Sequence, residues 1–425
     1  MERIAIIDGI RTPFCKMGTD FNLLGAQELG RIVARELIER SGFDVKNIDE
    51  VVFGCVGQPA NAANIARVIA LLAGVPQSVP AFTVHRNCAS GIEAVVSAAV
   101  KIRAGEANCL LVGGTESMSN IPLFYSKEAQ DIFMELSRAK SLPAKLGVIS
   151  KFRPKHFSPV AGLALGLTDP VCGLNMGQTA EVLVQEFGIT RQEQDKFALE
   201  SHLRAIASRS ILREEIVPVI PGPKYRTAVL DDNGPREGQT IEALAKLKPF
   251  FDRATGTITA GNSSQITDGA AALLVASESR VRELGIKPLG YVRSFAYAGV
   301  EPSRMGIGPA HAIPLALRKA GLKLSDMQVV EINEAFSAQV IACVKALGSP
   351  AFASKFGFEG YTGEVDPAKL NKHGGGVALG HPVGATGARL ILTALKQLQR
   401  ENLNLGIISL CIGGGQGAAA VLERE

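Results

Sequence analysis

A cysteine in the setting of a reactive thiol stands at position 88, in the run Asn87-Cys-Ala-Ser-Gly91. The residues that follow have helical periodicity, so Cys88 is predicted to lie at the start of a helix. Backbone N–H groups and the positive end of the helix dipole favour a thiolate there. Because a thiol with a pKa of about 8.5 is only slightly ionised at neutral pH, a nucleophilic role also needs a nearby base.

A candidate base and a second reactive cysteine occur in glycine-rich runs far along the chain. His381 lies in Gly380-His-Pro-Val-Gly384, and Cys411 ends an apolar run that continues into Gly413-Gly-Gly415. Glycines at such a turn let backbone N–H groups come close to a ligand. Taken singly, a cysteine is most often a buried apolar residue and a loop histidine is often structural. At matching loop positions, the three residues predict an enzyme with a cysteine nucleophile.

The composition of the 425-residue chain argues against several other classes of protein. The net charge is +4, aromatic residues make up 5% and tryptophan is absent, so nucleic-acid binding is not expected. The seven cysteines form no Cys-x-x-Cys pair and the six histidines are dispersed, so neither a disulfide framework nor a metal site is predicted. The sequence has no targeting segment and no apolar run of about 18 residues, which favours a cytoplasmic protein.

Short apolar runs that alternate with helical stretches predict an α/β fold built from layers of sheet and helix. Helical spacing of apolar residues covers 91–103 and 390–398. The predicted strands are Ile4–Ile7, Val51–Phe53, Cys109–Val112, Ala271–Ala276, Val329–Ile332, Gly406–Cys411 and Ala418–Leu422.

The chain also repeats itself once, which predicts two related α/β halves. Residues 42–54 can be aligned with residues 321–333, and both segments follow a helical stretch. The helices that start near Gly91 and Gly387 are also alike, and both lead to a strand and a pair of glycines. The alternative is a chance likeness between two strand–helix units.

Residues 121–259 fit neither half of this repeat. They are rich in Lys, Arg and Pro and irregular in periodicity, so they are predicted to form an inserted loop domain that covers the first half. The N-terminal half then consists of residues 1–120 plus 260–285, and the C-terminal half of residues 286–425.

Distinctive motifs occur along essentially the whole chain. They are Asp8-Gly-Ile-Arg-Thr-Pro-Phe14, Asn87-Cys-Ala-Ser-Gly91, Gly113-Gly-Thr-Glu-Ser-Met-Ser119, Met176-Gly-Gln-Thr-Ala-Glu181, Ala260-Gly-Asn-Ser-Ser264, Asn333-Glu-Ala-Phe336, Gly374-Gly-Gly-Val-Ala-Leu-Gly-His-Pro382 and Cys411-Ile-Gly-Gly-Gly-Gln-Gly417. The last two glycine-rich blocks are especially hard to match by chance. Together the motifs resemble those of the thiolases, the CoA-dependent acyltransferases of fatty-acid degradation and acetoacetyl-CoA synthesis.

The resemblance implies two duplicated βαβαβ halves in five layers with an inserted loop domain, and it implies catalytic roles. Cys88 would carry the acyl group, and His381 would activate Cys88 and later the CoA thiol. Cys411 would be the general acid/base at the α-carbon of acetyl-CoA. Asn333, through an ordered water, and His381 would form one oxyanion hole, and the backbone N–H groups of Cys88 and Gly413 would form a second.

The same resemblance suggests binding residues. Ser264 matches a residue that touches the pantetheine arm of CoA, while Met176 and Phe336 match positions that line the acyl pocket. Met and Phe at such positions are also ordinary core residues. CoA and acyl-CoA esters would be substrates, and neither a permanently bound cofactor nor a metal is implied.

The implied reaction is CoA-dependent cleavage of a 3-ketoacyl-CoA to acetyl-CoA and a shortened acyl-CoA, or the reverse condensation of two acetyl-CoA molecules. One alternative is another condensing enzyme of the same fold, of the β-ketoacyl synthase or hydroxymethylglutaryl-CoA synthase type. A second alternative is a non-catalytic scaffold subunit that binds CoA esters. Cys411 in a glycine-rich turn argues against the first, and the intact set of Cys88, His381 and Cys411 argues against the second.

The inserted segment bears on subclass and partners. Its Ile149–Phe157 stretch resembles the β subunit of the trifunctional β-oxidation complex, yet that type usually has His where Asn333 stands, so chain-length preference stays open. The resemblance implies a homodimer or a dimer of dimers. Residues 128–155 carry an apolar stripe with Lys140, Lys145, Lys151 and Arg153. They are predicted to dock a β-oxidation partner subunit or a membrane surface rather than to hold CoA.

Overall fold

All seven predicted apolar runs form strands, because side chains that fill both faces of a buried sheet give continuous apolar runs. The computed structural model describes residues 2–223 and 225–424. The sequence analysis does not predict the remaining strands, and two of them, β4 and β9, lie in the continuous order of the large sheet. Both are partly exposed and less continuously apolar. The strands within the described residues are β1 (Ile4–Arg11), β2 (Cys15–Lys16), β3 (Glu50–Gly54), β4 (Ala81–Val84), β5 (Cys109–Glu116), β6 (Leu123–Phe124), β7 (Val160–Ala161), β8 (Thr267–Ser277), β9 (Gly290–Gly299), β10 (Val329–Ile332), β11 (Leu405–Ile412) and β12 (Gln416–Glu423).

Both stretches of helical periodicity form helices, and each helix extends somewhat beyond the predicted stretch. The α-helices in the described part of the chain are α1 (Ala26–Ser41), α2 (Ile65–Leu72), α3 (Ser90–Arg103), α4 (Lys127–Arg138), α5 (Leu142–Ile149), α6 (Gly162–Gly166), α7 (Met176–Phe187), α8 (Arg191–Ala207), α9 (Arg209–Leu212), α10 (Ile241–Ala245), α11 (Glu278–Glu283), α12 (Gly308–Ala320), α13 (Ser337–Leu347), α14 (Pro350–Phe356), α15 (Gly376–Leu379) and α16 (Val383–Arg400).

The sheet has the same strand order in each half of the chain. Its continuous order across the described residues is β10-β11-β12-β9-β1-β8-β5-β3-β4, with β2 paired to β8. In the N-terminal half, β3 runs parallel to β4 and β5, and β5, β8 and β1 continue antiparallel. In the C-terminal half, β10 is parallel to β11, and β11, β12 and β9 continue antiparallel. A single parallel bridge between Val330 and Leu370 takes the place that β4 has in the first half.

The aligned segments 42–54 and 321–333 have the same local structure. Each begins with a glycine of positive φ that ends a helix, 64° at Gly42 after α1 and 67° at Gly321 after α12. A single 3₁₀ turn and then a parallel strand follow in both copies. The duplicated α/β fold expected from the sequence is therefore confirmed.

Three apolar clusters show how sheet and helices are layered. In the N-terminal half, one face of the sheet packs against α1 and α2. In the C-terminal half, one face packs against α12 and α13. The remaining faces of both halves share a cluster with α3 and α16, which lie between them. The resulting order is helix, sheet, helix, sheet, helix, which gives the five predicted layers.

The structure differs from the predicted single insertion over residues 121–259. By internal contacts, one unit holds the described residues up to Asn120 and from Asp169 onward, and a second unit holds Ile121–Thr168. Residues 169–259 belong to the first unit because α7 and α8 pack against α13 of the C-terminal half. Leu183 of α7 is buried in the core of that half, whereas the sequence placed this segment over the first half.

Part of the predicted insertion is also joined to β1 by a buried ionic cluster. The Arg11 guanidinium is fully buried and donates to Glu215 at 2.6 Å and to Asp232 at 2.6 and 2.9 Å. Removal of one partner from such a cluster typically costs about 3–5 kcal/mol, because an uncompensated charge stays buried.

The second unit consists of α4, α5, α6, the β6–β7 pair and a 3₁₀ turn at Pro154–Phe157. Helix α4 packs against α5 and against that turn. Ion pairs link Lys151 to Glu135 at 2.5 Å and Lys155 to Glu128 at 2.7 Å. None of the described helices in either unit is both long and apolar enough to cross a membrane.

Candidate active site

Cys88 lies in a tight turn just ahead of α3. The Ala89 backbone N–H donates to the Arg86 carbonyl at 3.0 Å, which closes the turn, and Asn87 within it has a φ of 43°. Ser90, the first residue of α3, donates its hydroxyl to the Asn87 carbonyl at 2.7 Å. These bonds hold the partly buried Cys88 at a fixed place before the helix.

The Cys88 thiol differs from what a helix start alone predicts. Burial raises the pKa of Cys88 above its ordinary value and outweighs the backbone N–H groups of Gly413 and of Cys88 itself, which lower this pKa. The charge of Glu116 raises it further. The thiol is therefore neutral in the free chain, and its proton must pass to a base before the sulfur attacks. The two N–H groups that favour a negative sulfur are the pair expected to form the second oxyanion hole.

His381 is held as a neutral imidazole in a defined tautomer. Its Nδ1 lies 2.6 Å from the Thr386 hydroxyl oxygen, and this hydroxyl donates to the Pro382 carbonyl at 2.9 Å. The Thr386 oxygen must then accept from Nδ1–H, which leaves the lone pair on Nε2. Burial, with a smaller contribution from the Arg389 charge, lowers the pKa of His381 to about 4. A neutral imidazole of this tautomer can take a proton through Nε2.

Glycines let the loops of the candidate nucleophile and base approach each other. The helices that follow these loops, α3 and α16, pack together in the middle layer. A Cβ on Gly91 would lie 2.6 Å from the Ala388 backbone nitrogen, and a Cβ on Gly387 would be just as close to α3. A larger side chain at either position would push the two helices apart.

Asn333 follows β10 and has a buried side chain without a partner. Its backbone N–H donates to the Ser409 carbonyl of β11 at 2.9 Å, so it is tied to the strand that carries Cys411. Neither its amide nitrogen nor its amide oxygen has a hydrogen-bond partner among the described residues, and the same holds for Nε2 of His381. Buried polar atoms are usually paired. The unpaired Asn333 amide nitrogen is therefore a donor that can serve a water or a substrate oxygen, and Nε2 of His381 is an acceptor that becomes a donor once it is protonated.

Cys411 lies near the end of β11, ahead of the glycine-rich turn to β12. Burial raises the pKa of the Cys411 thiol well above its ordinary value, and the charges of Cys88 and Cys343 add to that rise. Cys88 is thus close enough for its charge to act on the Cys411 thiol. Because Cys411 is neutral, it is suited to give a proton before it takes one.

The predicted binding residues gather near Cys411. Met176 and Phe336 belong to the same apolar cluster as Cys411, and a Cβ on Gly413 would lie 3.3 Å from the Met176 sulfur. The Ser264 N–H donates to the carbonyl of Ala335, the residue before Phe336, at 2.9 Å. The structure therefore brings the predicted binding residues to one region, while their roles stay predictions.

Three residues with contacts at this site were not singled out from the sequence. Thr386 fixes the His381 tautomer, and Asn87 donates from its side-chain nitrogen to the Gly413 carbonyl at 2.7 Å. The carboxylate of Glu116 accepts three backbone N–H bonds, one of them from Gly384 at 2.8 Å. Burial raises the pKa of Glu116 to about 7. Asn87 and Glu116 lie inside the quoted motifs, which is the signal that could have found them, whereas Thr386 lies two residues beyond the quoted run around His381.

The Thr386 hydroxyl can be tested separately from the chemistry of His381. Thr386→Val keeps the shape but removes the acceptor for Nδ1–H, so we expect kcat to fall about 3- to 10-fold, the value of one net hydrogen bond. Thr386→Ser keeps the hydroxyl and is the matched control, with kcat within about twofold of the parent. Equal kcat values for the Val and Ser variants would show that this bond does not orient the imidazole.

The described residues contain no group of three or more His, Cys, Asp or Glu side chains that could hold a metal ion. Two family models cover the chain almost end to end. "Thiolase, N-terminal domain" matches residues 4–279 and "Thiolase, C-terminal domain" matches residues 286–424.

Individual proteins match over the same length. The 3-ketoacyl-CoA thiolase of Pectobacterium carotovorum subsp. carotovorum (strain PC1) is 43% identical over 426 residues, which cover 99% of this chain and 97% of that protein. The 3-ketoacyl-CoA thiolase of Yersinia pestis (strain Pestoides F) is 42% identical and is matched over 100% and 97% of the two chains. The crystal structure of the Bacillus anthracis acetyl-CoA acetyltransferase superposes with a TM-score of 0.87 at 35% identity, over 100% of this chain and 99% of that one.

Proposed function

The chain belongs to the thiolase family and is an acyltransferase of the thiolase type, and on this premise we propose that Cys88 carries the acyl group. The observation that supports this role is the neutral His381, whose Nε2 is unpartnered while Nδ1 is bound to Thr386. A neutral thiol and a neutral imidazole are the starting state for proton transfer from Sγ to Nε2.

In the direction of thiolysis, the Cys88 sulfur attacks the 3-keto carbon as its proton moves to His381. The bond between that carbon and the α-carbon breaks, and the electron pair stays on acetyl-CoA as an enolate. Cys411 protonates the α-carbon, which releases acetyl-CoA. The proton held by His381 then returns to the Cys411 thiolate, which leaves the histidine neutral. A CoA thiol gives its proton to the neutral histidine as its sulfur attacks the thioester. The Cys88 sulfur leaves and takes that proton back, which frees the shortened acyl-CoA and the Cys88 thiol.

Two sets of donors match the two negative oxygens of this sequence. Protonated His381 and, through an ordered water, the Asn333 side chain suit the enolate oxygen of acetyl-CoA, and both side chains are buried with unpartnered atoms. The N–H groups of Cys88 and Gly413, which already favour a negative sulfur, suit the oxygen of the tetrahedral adduct. Each donor in such a hole is typically worth about 3–4 kcal/mol of barrier.

The experiment that tests this function is thiolysis of acetoacetyl-CoA by free CoA, followed by ultraviolet absorbance. The same assay over short, medium and long 3-ketoacyl-CoA substrates gives kcat/KM against chain length, which the sequence leaves open. CoA-dependent cleavage is the expected result. Binding of CoA esters without turnover would favour the scaffold role, and condensation without thiolysis would favour a synthase.

CoA enters this scheme as a substrate, and no permanently bound cofactor is required by it. We expect the protein to form a homodimer or a dimer of dimers, because closed two-fold assemblies are the commonest oligomers. We also expect it to lie in the cytoplasm. The free thiols at all seven cysteines accord with a reducing compartment. Sedimentation that shows a stable and active monomer would contradict the oligomer.

The second unit has the composition of a docking surface. Residues 121–168 hold seven Lys and Arg against three Asp and Glu, a net charge of +4 that equals the net charge of the whole chain. Leu142, Leu146 and Ile149 of α5 share one helical face and are exposed by 71%, 58% and 48%. An apolar helical face beside basic residues is typical of binding to an anionic lipid surface. Residues 128–155 are therefore proposed to dock a membrane, with a partner subunit as the alternative.

The contacts within this unit single out the cations to test. Lys151 is paired with Glu135, and Arg153 donates to the carbonyls of Ser150 and Phe152. Arg138, Lys140 and Lys145 are exposed and make no ion pair within the described residues. They are the cations that can reach a lipid phosphate.

We expect the triple variant Arg138→Ala, Lys140→Ala, Lys145→Ala to bind vesicles of phosphatidylglycerol and phosphatidylcholine about 100-fold more weakly, at about 1 kcal/mol per cation. The KM for CoA should stay nearly unchanged. The matched control replaces the exposed Lys46, Lys287 and Lys323 of the first unit and should bind as the parent does. Equal vesicle binding by both triple variants, or a large rise in the KM for CoA, would contradict membrane docking.

A further inference from the structure

Asn87, the residue directly before Cys88, has an unfavourable backbone conformation. Its φ of 43° lies in the left-handed region, where a residue with a side chain typically loses about 1–2 kcal/mol. Asn tolerates this region better than most residues, but glycine occupies it without strain. Within the described residues, only Tyr225, Asn371 and Asn402 share this feature among residues other than glycine. A purely conformational need at position 87 would be met best by glycine.

The Asn87 side chain makes a contact that glycine cannot make. Its Nδ2 donates to the Gly413 carbonyl at 2.7 Å. Gly413 belongs to the glycine-rich turn just beyond Cys411, and its backbone N–H lies close enough to the Cys88 sulfur to favour the thiolate. One side chain thus joins the turn of the nucleophile, from the first half of the chain, to the turn of the second cysteine, from the other half.

We propose that Asn87 is a positioning residue that ties these two turns together and sets the placement of the Gly413 N–H group relative to the Cys88 sulfur. It touches no reacting atom in this arrangement. Its effect passes through Gly413, because movement of that carbonyl also moves the neighbouring peptide groups of the turn. Displacements of about 1 Å at a catalytic group can lower rates about 100-fold.

Arg86, the residue before Asn87, also links the turn of the nucleophile to the C-terminal half. The Arg86 guanidinium lies 4.0 Å from the centroid of the Tyr297 ring of β9 and donates to Glu93 of α3 at 2.6 Å. The segment before Cys88 is therefore already held against the C-terminal half. Loss of the Asn87 amide would release the Gly413 turn without unfolding the turn of the nucleophile.

Asn87→Gly separates positioning from conformation. The variant keeps the left-handed backbone and removes only the side-chain bond, so Tm should be equal to or higher than that of the parent. The KM for CoA should stay within about twofold. We expect the rate of acetyl transfer from acetyl-CoA to Cys88 to fall about 10- to 100-fold. The pH dependence of Cys88 alkylation by iodoacetamide should move to higher pH, because a displaced Gly413 N–H no longer lowers the pKa of the thiol.

Two further variants keep the test decisive. Asn402→Gly is the matched control, since Asn402 has a φ of 54° but is exposed and lies between α16 and β11. It should leave both the acetyl-transfer rate and the alkylation profile unchanged. Asn87→Asp keeps the size of the side chain and its tolerance of positive φ but turns an oxygen toward the Gly413 carbonyl. Its acetyl-transfer rate should fall at least as much as that of Asn87→Gly.

Parent-like acetyl transfer and an unshifted alkylation profile in Asn87→Gly would overturn the proposal and leave Asn87 as a turn residue. If Asn87→Gly lowers both Tm and rate, Asn87→Asp decides, and a parent-like rate in that variant would also overturn it. The positioning role of Asn87 rests on the proposed role of Cys88, yet different experimental results would contradict each of them. An acetyl-enzyme that survives Cys88→Ser would remove the proposed function, whereas a parent-like Asn87→Gly would remove only the positioning role.

Discussion

Cys88→Ser is expected to abolish the acetyl-enzyme and to lower the rate of thiolysis by about 10⁴-fold or more. A serine hydroxyl is far less ionised than a thiol, and the neutral His381 is a weak base with a pKa of about 4. It is not expected to deprotonate an alcohol at a useful rate. Incubation with acetyl-CoA, intact mass and peptide mapping measure the covalent product directly. The parent should gain one acetyl group on Cys88 and the variant none.

Cys172→Ser is the matched control for this substitution. Cys172 is a partly exposed free thiol outside the candidate catalytic set, so its replacement should change neither the acetylation of Cys88 nor turnover. An acetyl group that maps to Cys411 in the parent would reverse the two proposed cysteine roles.

Cys411→Ala is expected to separate the two half-reactions. It removes the group that exchanges a proton with the α-carbon but leaves the nucleophile, its base and the Gly413 N–H in place. Exchange of acetyl between CoA and Cys88 should therefore persist. Thiolysis of acetoacetyl-CoA should fall about 10²- to 10⁴-fold, the usual range for a general acid/base.

Cys343→Ala controls for the loss of a buried thiol. Cys343 is also fully buried, in α13, and its thiol donates to the Gly306 carbonyl. We expect it to affect Tm more than either half-reaction. A Cys411→Ala enzyme that loses acetyl exchange and thiolysis to the same extent would indicate that Cys411 has only a structural role.

Most of the fold could be predicted from the sequence because its strands are continuous apolar runs. Strands such as β8 are buried along their whole length. Their continuous apolar runs can be recognised without knowing which strands lie beside them. β4 and β9 lack this signal, because β4 is partly exposed and β9 mixes in polar residues. The bounds of the inserted segment could also not be predicted from local sequence patterns. Helix α7 is amphipathic, and only packing decided that its Leu183 is buried in the core of the C-terminal half.

The chemistry of the site divides in the same way. The sequence by itself indicated the candidate reactive groups, since Cys88 stands before a predicted helix, and His381 and Cys411 lie in glycine-rich runs at matching loop positions. Only the tertiary structure decided their protonation. A helix start favours a thiolate, but burial raises the pKa of Cys88 and lowers that of His381, so both are neutral. Desolvation depends on every chain segment that closes over a group, and hydrogen bonds such as that from Asn87 to Gly413 join residues 326 positions apart. Neither the desolvation of a group nor its long-range hydrogen bonds can be predicted from a short stretch of sequence.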